Sequence, residues 1–309
     1  LFSKKGEIPM LVQGANCFKT RFTPNATQHN LVNSYLLMMT SRLVFPDELG
    51  AIITDRADFE QKFKNRFTSL GMDKFEFIHG SPTNRRDTNG VVMSNDKVVI
   101  VAFRGTELRA GWAKIIKDFI ETNLNRTQTH VPQFGNDAKV HTGFWLAFHE
   151  VCDKVIDAVR VQRTAGQKLW VTGHSLGGAQ AILAARTFKA ERIPVQGLCT
   201  FGCPRVGNEA FKQHLGISNV QRYVYAFDLV PMLPDDTLRG YRHVGRTHNF
   251  CVPFLPGAGP YDSVLKLNDD ETRGVGNVDD HLLRRYEAAF FHHLSAAQQA
   301  AVPRPALQS

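Results

Sequence analysis

Two periods of apolar positions run along this chain. Residues 29–45, "HNLVNSYLLMMTSRLVF", repeat at helical spacing and predict an N-terminal helix. "FEFIHG" (75–80) predicts a short strand, and "VVMSNDKVVIVAF" (91–103) a hairpin of two β-branched runs joined by Asn95-Asp96. "FWLAFHEVCDKVIDAVR" (144–160) is helical in period; "KLWVTG" (168–173) is a strand, with a helix expected from Ser175 to about Lys189. "VQGLCTFG" (195–202) and "VQRYVYA" (220–226) predict two more strands, with "RVGNEAFKQHL" between them as a loop leading into a helix. "DDHLLRRYEAAFFHHLSAAQQAA" (279–301) predicts a final helix, and "VPRPALQS" (302–309) a frayed tail. Strands alternating with helices imply an α/β fold with a mostly parallel central sheet flanked by helices. No repeat, low-complexity segment or linker divides residues 1–309, so one domain is expected.

Composition narrows the class. The chain has 309 residues, 43% of them hydrophobic and 21% charged, as a globular protein with a sizeable core requires. No apolar run reaches the ~20 residues that span a bilayer. It starts at Leu1 without a hydrophobic leader core, which fits a chain whose signal peptide has been removed and a secreted or extracytoplasmic location. The net charge of +8 favours anionic surfaces. Its basic residues are scattered in pairs such as Lys4-Lys5, Arg85-Arg86 and Arg284-Arg285, with no zinc-finger or RNA-binding signature, so nucleic acid is not an expected partner. Five cysteines (Cys17, Cys152, Cys199, Cys203 and Cys251) show no C-x-x-C or metal-ligand spacing and read as buried thiols.

One stretch changes the picture. "VTGHSLGGAQAILAA" (171–185) sets Ser175 between Gly173 and Gly177, where a strand gives way to an alanine-rich helix. Serine at a turn is an ordinary helix cap. The pattern G-x-S-x-G between strand and helix is also the nucleophile elbow, which presents a serine hydroxyl in a strained turn. Its glycines avoid collision with neighbouring backbone, and the N–H of Leu176 at the helix start points toward a developing oxyanion. A serine hydroxyl is a weak nucleophile, so a base and an orienting acid must stand beside it.

With "GHSLGGA" as the elbow, four further segments in the same order resemble the class 3, fungal-type lipases: "VAFRGT" (101–106), "VHTGF" (140–144), "TFGCPRVGN" (200–208) and "FDLVPMLP" (227–234). The resemblance covers roughly residues 90–286 and implies an α/β-hydrolase fold with a helical lid. Carried over by position, it implies Ser175 as nucleophile and Asp228 as triad acid, with Asp235, Asp236, Asp279 and Asp280 as competitors of weaker context. The order Ser…Asp…His leaves His243, His248, His281, His292 and His293 among twelve histidines. His281 in "DDHLLRRY" fits the family's Asp-His-…-Tyr pattern, whereas His243 in "YRHVG" reads as structural and His174 as packing. Thr106 and Leu176 are the implied oxyanion donors.

Directly after Thr106, Trp112, Ile115, Ile116 and Phe119 form an apolar stripe at i, i+3, i+4 and i+7. By itself such a stripe is an ordinary core-packing helix. Beside the oxyanion residue it becomes a candidate lid over about 107–120 that meets lipid. The expected activity is that of a serine carboxylic ester hydrolase, a triacylglycerol lipase working at a lipid–water interface without metal or organic cofactor. Phospholipase A1 or general esterase activity are the alternatives within the fold, and a catalytically silent membrane-binding hydrolase fold the alternative outside it.

Overall fold

The computed structural model of the chain describes residues 14–49, 52–80, 89–105, 127–234, 240–253, 258–267 and 279–305. Among these, the strands in chain order are β1 (Lys74–His79), β2 (Asn89–Ser94), β3 (Val98–Phe103), β4 (Gln128–His130), β5 (Lys139–His141), β6 (Lys168–His174), β7 (Val195–Phe201), β8 (Gly207–Asn208), β9 (Val220–Tyr225), β10 (Tyr241–Arg242), β11 (Arg246–Cys251) and β12 (Val264–Leu267). The main sheet has the order β1-β2-β3-β6-β7-β9-β11-β12. Its centre, from β3 to β11, is parallel, while β1, β2 and β12 pair antiparallel at the edges.

A parallel sheet covered on both faces needs strands that are apolar on both faces. β3 meets that demand with "VVIVAF", buried throughout. Val99, Val101 and Phe103 enter one core, built with the helices Thr142–His149, Cys152–Gln162 and Leu176–Ala190. Val98, Ile100 and Ala102 enter the other, under Leu31–Leu43, Arg56–Ser69 and Leu283–His293. The α/β layering expected from the alternating pattern, a mostly parallel sheet with helices on both faces, is therefore present.

Several elements differ in detail from expectation. The N-terminal helix is Leu31–Leu43, because the Asn30 side chain accepts from Asn33 N and caps it there. The run 144–160 is two helices, broken at Glu150-Val151. The run 279–301 is a single turn, Asp279–His281, then the helices Leu283–His293 and Ala296–Ala301, the last set off by a capping box at Ser295. A second sheet, β10-β8-β5-β4, and the helix Arg56–Ser69 are additions. The tail expected to fray does not do so at its start. Val302 is fully buried, and Pro303 O accepts from the buried Tyr35 hydroxyl at 2.5 Å, so packing holds the backbone in place.

Candidate active site

β6 delivers Ser175 to the carboxyl edge of the sheet, and the helix Leu176–Ala190 leaves from it. The turn is strained: Ser175 has φ 58° and ψ −130°, outside the usual range for a residue with a side chain. The flanking glycines make it possible. A Cβ on Gly173 would lie 2.1 Å from Gly177 O, and one on Gly177 would lie 2.4 Å from Phe103 O. Only bare backbone fits. Leu176 is the first residue of the helix, so its N–H belongs to the turn that has no intrahelical acceptor.

Asp228 follows β9 and His281 ends the turn before Leu283–His293. The sheet edge brings them together. His281 Nδ1 donates to Asp228 Oδ2 at 2.7 Å and Oδ1 at 2.9 Å, and both side chains are buried. Asp228 Oδ1 also accepts from Val230 N at 2.9 Å, and Oδ2 from the Tyr286 hydroxyl at 2.6 Å. The pair meets the elbow at the end of β7. Ser175 N donates to Phe201 O at 2.9 Å, and a Cβ on the next residue, Gly202, would lie 2.7 Å from Asp228 Oδ2 and 2.9 Å from His281 Nδ1. Ser175 itself is buried, and its Oγ has no hydrogen-bond partner among the described residues.

His174 occupies the flank of this cluster. Its ring lies 4.4 Å from that of His281, and its Nε2 donates to His281 O at 2.9 Å. Burial, then the facing His281, holds the His174 imidazole well below its ordinary value, so it stays neutral beside His281. Burial, and next the Asp228 charge, pushes the Tyr286 phenol well above its ordinary value, which keeps it a proton donor to the carboxylate.

The competing residues have other partners. Asp280 accepts from Phe227 N at 3.1 Å and from Arg285 Nη1 at 2.7 Å. Asp235 and Asp236 lie outside the described residues. His243 donates to Pro231 O at 2.7 Å, while His248 donates to Gln221 Oε1 at 2.6 Å. His292 is exposed, and His293 meets Ser263 Oγ at 3.3 Å. All five cysteines are free thiols, with Cys17, Cys152, Cys199 and Cys203 buried. Among the described residues no cluster of three His, Cys, Asp or Glu is placed to hold a metal, and no helix is long and apolar enough to cross a membrane. Thr106 and the stripe Trp112, Ile115, Ile116 and Phe119 lie outside the described residues. The backbone from Phe103 to Gly105 that leads to Thr106 packs against Gly177.

Residues 100–238 match the family model "Lipase (class 3)". Over these residues the chain is similar to the class 3 lipases. It is 36% identical over 170 residues to a lipase of Rhizopus niveus, covering 52% of this chain and 41% of the relative. It is 32% identical over 209 residues to the "Secreted mono- and diacylglycerol lipase 1" of Fusarium solani, covering 65% of this chain and 58% of the relative. The chain thus spans only about two fifths of the length of the Rhizopus niveus lipase. Among solved structures, the lipase of Rhizopus microsporus var. chinensis superposes with a TM-score of 0.57 at 26% identity, over 81% of this chain and 84% of that one.

Tyr286 is the residue of this site that motif reading did not place, whereas His174 packs beside the elbow as expected. Tyr286 is the tyrosine of the "DDHLLRRY" segment, so the signal was in hand, but nothing local tells a tyrosine that caps a carboxylate from one that fills a core.

Proposed function

We propose that this chain is a serine carboxylic ester hydrolase acting on acylglycerols, a triacylglycerol lipase. The observation that carries the reading is the bidentate His281–Asp228 contact at the sheet edge where the strained Ser175 emerges. In this reading Ser175 Oγ attacks the ester carbonyl carbon while His281 Nε2 takes its proton. Asp228, held by Tyr286 and Val230, fixes the ring with Nδ1 protonated and stabilises the imidazolium. The N–H of Leu176 binds the oxyanion together with Thr106, whose role rests on the "VAFRGT" segment. His281 returns the proton to the leaving alcohol, and water then attacks the acyl-enzyme by the reverse sequence. The stripe Trp112, Ile115, Ile116 and Phe119 is assigned to the lipid side on the strength of its sequence position. The chain acts as one domain outside the cytoplasm, in line with the printed name of its Fusarium solani relative.

A hydrolysis panel of triacylglycerol, phospholipid and dissolved short-chain esters, below and above substrate aggregation, tests the reading. Emulsified acylglycerol should be the preferred substrate, and activity should rise on aggregation. Preference for phospholipid, or for dissolved esters with no rise, would replace the acylglycerol assignment while leaving the triad in place.

A further inference from the structure

On the other end of the sheet a cavity of about 820 Å³ opens between the loop before the helix Leu31–Leu43, the segment after Glu209–His214, and the start of β11. Its volume lies within the range of small-molecule sites. The lining holds three basic side chains, His29, Lys212 and Arg246, and no carboxylate. The carboxylate paired with Lys212 is Glu209, at 3.9 Å, and Glu209 is shared with Arg242 at 3.6 Å. Behind His29 in the lining runs a stack of rings. His29 lies 4.3 Å from His248, which lies 4.7 Å from the buried Tyr223. His248 spends its Nε2–H on Gln221, and neither His248 Nδ1 nor His29 Nε2 has a hydrogen-bond partner among the described residues.

The local potential is positive. Burial and then Arg246 lower the basicity of His29, and burial, His29, Arg246 and Arg222 push His248 down to about 3. Among the described residues no acid offsets either one. The groups facing the pair are Arg246 from β11 and Tyr223 and Arg222 from β9, while Lys212 from the helix Glu209–His214 lines the same cavity.

We propose that this cavity binds a soluble, phosphate-bearing small molecule, held by Lys212 and Arg246 with His29 beneath it. The cavity is separate from the triad. Val220 at its rim is level with Val171, four residues before Ser175 on β6, and β9 and β11 lie two and three strands away. At ~3.3 Å per residue and ~4.8 Å per strand, the separation is on the order of 20 Å. A lipid surface presenting esters to the carboxyl edge does not reach a cavity at the amino edge, which makes the occupant a dissolved one. The volume exceeds what a bare phosphate fills, so an organic phosphate such as a nucleoside diphosphate fits the class.

Calorimetric titration of the whole chain with adenosine diphosphate, pyrophosphate and adenosine tests this. Both phosphates should bind and adenosine should not. At about pH 8, Lys212→Ala with Arg246→Ala should weaken binding about tenfold or more, while His29→Phe should keep it. Hydrolysis of a dissolved ester should be unchanged in each variant, which shows that the fold is intact. The proposal fails if neither phosphate binds, or if the double variant binds as the parent does. It also fails if phosphatidylglycerol vesicles, rather than the dissolved phosphates, show the dependence on Lys212 and Arg246.

Discussion

Asp228 illustrates how tightly single side chains are specified here. Its two oxygens receive His281 Nδ1, the Val230 N–H and the Tyr286 hydroxyl, which leaves the carboxylate no freedom to rotate away from the imidazole. Tyr286→Phe removes one donor and keeps the ring packing. A hydrogen bond to a buried charge is worth ~1.5–3 kcal/mol, so the variant should lose about that much stability and show a lower kcat with KM little changed. Denaturant unfolding and steady-state kinetics check both, and an unchanged kcat would mean that His281 and Val230 suffice. Ser175 and Asp228 were legible in the sequence because G-x-S-x-G and "FDLVPMLP" are local patterns with geometric meaning. His281 needed chain order and the "DDHLLRRY" context to be chosen among five candidates. Tyr286 was not legible as a donor, since its partner lies 58 residues away and burial alone explains a tyrosine.

Elements show where the hydrophobic period is informative and where it fails. Strands such as β3 and helices such as Leu176–Ala190 were readable because a continuous apolar run and an alanine-rich run have few alternatives. β8 and β10 are two residues long, too short for any period to register. The breaks in 144–160 and 279–301 leave the apolar spacing nearly intact, so only backbone geometry reveals them. The helix Leu283–His293 deserves its own test, because it carries Tyr286 and follows His281. It is tied to Leu31–Leu43 by the Glu287–Arg42 ion pair at 2.9 Å, with both partners buried, and Arg42 also reaches Glu48 at 3.1 Å. Glu287→Ala leaves the buried Arg42 guanidinium with Glu48 as its one carboxylate partner, so the loss should approach the ~3–5 kcal/mol typical of breaking a buried pair. Thermal unfolding should show a large loss of that order, and Arg42→Met combined with Glu287→Leu should recover much of it. A loss under 1 kcal/mol, on the scale of about one exposed pair, would show that the pair does not clamp the helices.

Across the whole molecule, neutral buried histidines set a pH limit. Burial is the first cause holding His174 and His243 well below their ordinary value, and it takes His248 to about 3. Their folded pKa values lie below the unfolded value near 6.5, so the unfolded chain binds more protons in acid. Stability is therefore full above about pH 6.5 and falls with pH from there, by ~1.4 kcal/mol per pH unit for each such histidine. His248→Gln should flatten the decline of the urea midpoint between about pH 6 and about pH 4, and an unaltered slope would remove His248 from the account. The catalytic claim also belongs to this scale, since it needs an elbow, an acid and a base from separate parts of the chain to act as one unit. Its most direct measurement is covalent labelling by a fluorophosphonate, read by mass spectrometry alongside ester hydrolysis. The account predicts one adduct, on Ser175, with hydrolysis abolished in step. It also predicts that Ser175→Ala and His281→Ala fold normally and lose activity by about 10⁴-fold or more. Labelling elsewhere, or hydrolysis that survives Ser175→Ala, would contradict it.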